Sequence, residues 1–152
     1  MSKQLKSSIQ RWETLAEGVR RKLDEVQKVL ILVRDKQTKL DGERTKLGEM
    51  KHEYASKLKE VQVGSHDMEK VTYLRRFLGQ LDVAAKAIVT ELEVLGVQQG
   101  KIQEQFRALN SEQVKFNTLA SRSRKQLNEV LQRADQKDQD MMNVMRFEAL
   151  KR

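Results

Sequence analysis

The only imidazoles in the chain are His52 and His66, the natural place to look for metal or proton chemistry. A transition-metal site needs further nitrogen, sulfur or carboxylate ligands aimed at one point, and no ligand set of that spacing accompanies either histidine. With no cysteine, thiolate catalysis, thiolate ligation and disulfides drop out together. The serine and threonine hydroxyls have no neighbouring base arranged to activate a nucleophile, and no glycine-rich phosphate loop occurs. No catalytic, metal-binding or cofactor-binding residue is therefore expected, and the chain reads as a non-enzyme. Gly96-x-x-x-Gly100 has the spacing of a membrane helix-dimer motif, but it sits among Gln98, Gln99 and Lys101 rather than in an apolar run.

What repeats along the chain is a heptad. Leu5, Trp12, Val19, Val26, Val33, Leu40, Leu47, Tyr54 and Val61 stand seven residues apart, and Ile9, Ala16, Leu23, Leu30 and Leu58 fall four residues after members of that ladder. Those are the d and a positions of a coiled-coil seam. A second ladder has d at Leu74, Leu81, Ile88, Leu95, Ile102, Leu109, Phe116 and Val130, with a at Leu78, Ala85, Leu92, Phe106, Ala120, Leu127, Ala134 and Met141. The ladders do not join in phase. Between them lies Val63-Gly64-Ser65-His66-Asp67, where Gly64 suits a helix C-cap and Ser65 or Asp67 can accept hydrogen bonds from the free N–H groups of the next helix. There is no proline to break the chain elsewhere. The expected fold is all-α: one hairpin domain over 1–152, with a helix over 3–63, a turn at 64–66 and a second helix over 67–148. The two helices pair antiparallel as a coiled coil. The second outruns the first, leaving a C-terminal overhang that begins near Val130.

Composition fits this class. With 38% hydrophobic and 34% charged residues, few aromatics and no proline, the chain suits a long charged helical pair better than a globule with a large interior. The longest apolar run, Val29-Leu30-Ile31-Leu32-Val33, is too short to cross a bilayer, and the polar N-terminus lacks a signal-peptide apolar core. A soluble cytoplasmic protein is expected. The net charge of +8 is spread along the chain, with only Arg20-Arg21-Lys22 and Arg122, Arg124 and Lys125 as tight clusters, so nucleic acid is not an expected partner.

Apolar residues off the seam carry the functional information. Met50 and Phe77 fall at g and Tyr73 at c, near Tyr54, Leu81 and Ala84 on the turn side, and together predict an exposed, partly aromatic protein-binding patch. Met141, Met142, Val144, Met145, Phe147 and Leu150 lie in the overhang, where methionine-rich unpartnered surface suits insertion into another protein. Ile31 and Leu32, at b and c, form a lesser candidate. Toward the turn the a positions become polar at Gln37, Arg44 and Lys51, with glycines at 42 and 48, which predicts easier local opening there. Gln99 and Gln113, also on the seam, are candidates for fixing register.

Three segments carry a resemblance. Tyr73-x-x-x-Phe77-x-x-x-Leu81-Asp82 after the turn, Glu53-Tyr54 about twenty residues before it, and Arg133-x-Asp135-Gln136-Lys137-x-x-Asp140 near the end of the second helix together resemble the FliJ family. That family supplies a soluble stalk protein to the bacterial flagellar export apparatus, and the YscO proteins of virulence type III secretion share its architecture. The resemblance implies a monomeric cytoplasmic chaperone or escort that links a hexameric export ATPase to the cytoplasmic domain of the export gate. It also implies binding of export chaperones, and contact with the membrane only through partners. The gate-facing surface would comprise Leu47, Met50, Tyr54, Tyr73, Phe77, Leu81, Ala84 and Ile88, the last standing where some members have a polar residue. The ATPase-facing end would comprise Arg133, Asp135, Gln136, Lys137 and Asp140, with Met141 and Met145 beyond them. A YscO-type virulence component, or an unrelated coiled-coil scaffold or chaperone, is the alternative.

Overall fold

The computed structural model describes residues 1–64 and 67–151, so Ser65, His66 and the expected turn they would form lie outside the described residues. Two helices account for nearly everything else: α1, Ser2–Gly64, and α2, Met68–Lys151, 63 and 84 residues long, packed against each other as a helical hairpin. Asp67 begins α2 as expected, its Oδ1 accepting hydrogen bonds from the backbone N–H groups of Glu69 at 3.2 Å and Lys70 at 3.4 Å. That satisfies two donors a helix start leaves free, and the carboxylate complements the positive end of the helix dipole.

The other end of the expected turn differs. Gly64 is the last residue of α1 and does not adopt the left-handed backbone of a C-cap glycine, so α1 runs through it. Along both helices the exposed hydroxyls of Thr14, Thr38, Thr45, Ser56, Thr72, Thr90 and Thr118 donate to the carbonyl four residues back. These hydroxyls serve their own helix rather than any site.

The helices divide into two compact units. The terminal unit comprises residues 1–25 and 106–152. Its seam is built from the expected ladder: Ala16, Val19 and Leu23 are buried, Ala120 is 2% exposed, and the Trp12 and Phe116 rings stack with centroids 6.0 Å apart at 19°. Ser123, the d position between Phe116 and Val130, is buried as well. An ion pair between Arg124 and Glu13 closes the outside of this seam.

The central unit comprises residues 26–105. Val26, Val33, Leu74, Leu81 and Leu95 are buried here, together with Val71, an a position one heptad before Leu78. Its cross-helix pairs run in opposite directions along the two helices: Gln37 with Gln99, Lys51 with Asp82, and Tyr54 with Phe77. The polar a positions divide in their fates. Gln37 Nε2 donates to Gln99 Oε1 at 3.1 Å, and Lys51 reaches sideways to Asp82 at 2.5 Å, while Arg44 is exposed. Gln113, in the terminal unit, is half-buried. Between Gln37 and Lys51 lie Gly42 and Gly48, where an added Cβ would meet nothing within 4 Å.

Candidate interaction surfaces

In the central unit, Tyr54 from α1 meets Phe77 from α2 at 4.6 Å between ring centroids with a 56° tilt, and Tyr73, one turn before Phe77, stacks on it at 6.4 Å and 9°. The Lys57 ammonium sits 4.8 Å from the Tyr54 ring centroid, a cation–π contact one turn further along α1. The reason is register: Tyr54 holds a seam position, Phe77 the neighbouring flank, and Tyr73 the outer surface. The aromatics therefore form a ramp from core to solvent, with Tyr73 65% exposed and Phe77 half-buried.

Of the expected gate-facing residues, Tyr54, Tyr73 and Phe77 are brought together, and Met50 and Ala84 offer partial exposure nearby on their helices. Leu47 and Ile88 are half-buried seam residues. Leu81 is 6% exposed, which corrects its expected place on the patch surface, since its side chain is used up by the seam and can act on a partner only through packing. Next to it, the hydrogen bond from the Lys51 ammonium holds the Asp82 carboxyl below the usual carboxylate range; desolvation opposes it, and the Lys51 and Lys86 charges add lesser contributions in the same direction as the hydrogen bond.

The terminal unit ends differently. Every described residue from Leu131 onward is exposed. Arg133 stands at the boundary, lining a hollow of about 440 Å³ with Met1, Leu5, Glu129 and Val130 at the start of α1, so it is not wholly clear of the first helix as expected. Beyond it Asp135, Gln136, Lys137 and Asp140 form a polar stretch in which Gln136 Nε2 donates to Asp140 Oδ1 at 3.2 Å. Then the character changes. Met141, Met142, Val144, Met145, Phe147 and Leu150 occupy heptad positions all round the helix and are 57–86% exposed, with the Lys151 ammonium 5.0 Å from the Phe147 ring centroid.

Heptad reading missed three features. Val71 escaped because the second ladder was started at Leu74, Ser123 because a polar residue at d does not register as core, and the exposed Val83, Val94 and Val97 because c and f positions are assumed to be solvent. Among the described residues, no three of His, Cys, Asp or Glu come together, and no helix is long and apolar enough to cross a membrane. His52 is exposed, and its carbonyl accepts a hydrogen bond from Ser56 Oγ.

Two long helices packed along a heptad seam define a class, the coiled-coil hairpins. The flagellar FliJ protein family matches over residues 8–151, nearly the whole chain. The chain belongs to the FliJ family and is thereby a structural component of the flagellar protein-export apparatus. No curated protein and no solved structure matches it.

Proposed function

We propose that the chain is a non-enzymatic central stalk of the export apparatus, seating its bare end in a hexameric export ATPase while the aromatic cluster engages the cytoplasmic domain of the export gate. It acts in the cytoplasm at the inner-membrane base of the apparatus, reaches the membrane only through partners, and serves export chaperones as an escort. The observation that carries this reading is the last segment of α2. A helix apolar on one stripe docks on a surface, whereas a helix apolar all round is enclosed. Residues 141–150 approach the second kind, with exposed apolar side chains on nearly every side of the helix, interrupted by Asn143, Arg146 and Glu148. A ring with a central hole supplies that enclosure, and the mixed charges of residues 133–140 suit a polar rim at its mouth. The methionines add side chains that adapt to an irregular lining.

Truncation after Gln132 tests it. Nearly all buried seam residues precede that point, so the shortened chain should keep its helicity per residue and its thermal transition while losing stimulation of ATPase turnover. A truncated chain that is fully helical and still raises turnover like the intact one removes the stalk reading.

A further inference from the structure

Positions c and f point furthest from a paired helix's partner and usually carry charge. On α1 they do so at Arg21, Glu25, Lys28, Asp35 and Lys39, among others. On α2, however, the c and f positions between Arg76 and Lys101 read Gln80, Val83, Ala87, Thr90, Val94 and Val97, with no charge in the stretch. Val83, Val94 and Val97 are 69%, 52% and 61% exposed. The Thr90 hydroxyl is spent on the Lys86 carbonyl at 3.0 Å, so its methyl group extends the apolar line. Spacings of four and three make this a second seam, on the side of α2 away from α1. It lies further along α2 than the aromatic cluster, whose α2 members are Tyr73 at c and Phe77 at g.

The rims select the occupant. Glu91 at g and Glu93 at b flank the stripe on its two sides, and neither takes part in an ion pair among the described residues. Lys86 also lies on the b rim, beside the already paired Asp82. A second copy of this chain is a poor fit: antiparallel self-pairing that stacks Val83 on Val94 of the other copy sets Arg76 against Lys101 at both ends, like charge facing like. The stripe spans about four helical turns, well short of the roughly 800 Å² per partner that a stable interface buries. We propose that the outer face of α2 over residues 83–97 reversibly docks one amphipathic helix of another protein, about four turns long, with an apolar stripe flanked by lysine or arginine. The inference stands apart from the stalk reading.

The test titrates the full-length chain, by fluorescence anisotropy, with a labelled, side-chain-stapled four-turn helix carrying a leucine stripe and lysine flanks, and with the same helix carrying glutamate flanks. The chain's net charge of +8 favours the glutamate probe wherever binding is nonspecific, so preference for the lysine probe is diagnostic. The expected result is saturable binding of the lysine probe, at least about tenfold tighter than the glutamate probe. Val94→Asp should weaken it about tenfold with unchanged helicity, and Glu91→Lys combined with Glu93→Lys should reverse the preference. Equal binding of the two probes, indifference to Val94→Asp, or an unreversed preference overturns the proposal. So does a dimer in sedimentation equilibrium that Val94→Asp dissolves, which would make a second copy the occupant.

Discussion

The two units share one repeat and use it in opposite ways. The terminal unit packs its seam with small and aromatic side chains, seals it with buried Ala120 and Ser123, and then leaves the last turns of α2 uncovered. The central unit also buries aliphatic seam residues, but it sets one polar pair in the seam, Gln37 with Gln99, and another on its exposed flank, Lys51 with Asp82, and gathers Tyr54, Phe77 and Tyr73 toward the surface. Apolar seams hold helices together, and polar seams fix which residues face each other at some cost in stability. The difference separates holding from aligning.

Substitutions in the two seams test that separation most directly. Leu23→Ala, at a buried position, should destabilise by about 2–3 kcal/mol, whereas Leu47→Ala, half-buried beside polar neighbours, should cost less than about 1 kcal/mol. Urea unfolding checks both, and equal losses would erase the distinction. Next, Phe77→Ala should weaken binding of the gate domain about tenfold, with little change in helix content because Phe77 flanks the seam. Normal binding in a titration would make the aromatic cluster a packing feature only. Charge reversal at the bare end should do less: Arg133→Glu and Lys137→Glu should each weaken ATPase association a few-fold, the more so at low salt where exposed charges are less screened.

The smallest effect is expected at Asp82. Its carboxyl is held below the ordinary range in the folded chain, so the stability it contributes is present above the carboxylate's unfolded pKa and is lost as pH falls through its folded one. Asp82→Asn should therefore lower the urea midpoint slightly at neutral pH and not at all in strong acid. The pair is exposed, which keeps the difference near the limit of detection.

The hairpin was legible because the heptad is a long-range signal: Val19, Leu23 and Leu95 are buried for the reason their spacing gave. The aromatic cluster was half legible. Offsets placed Met50 and Phe77 on the flank, Tyr73 outside and Leu81 in the seam, as found, so setting Leu81 on the patch surface went against its own heptad position. Only the packed register could show that Tyr54 and Tyr73 both meet the Phe77 ring. Asp67 capped α2 as its type predicts, whereas Gly64 stayed helical, because glycine permits the left-handed turn without imposing it. The outer valines were illegible to a reading that sorts residues into seam and solvent, since they belong to neither.

Gly42 and Gly48 sit in α1 where alanine would fit without touching anything. Each forgoes about 1 kcal/mol of helix propensity that alanine would restore. No turn or close approach requires them, so what they change is mechanical. A rod made of alanine-like residues stores bending energy along its whole length, while one interrupted by glycines yields at those points first. Here the yielding points lie between the Gln37 and Lys51 pairs, which makes the stretch of α1 whose alignment is most closely specified also its most compliant.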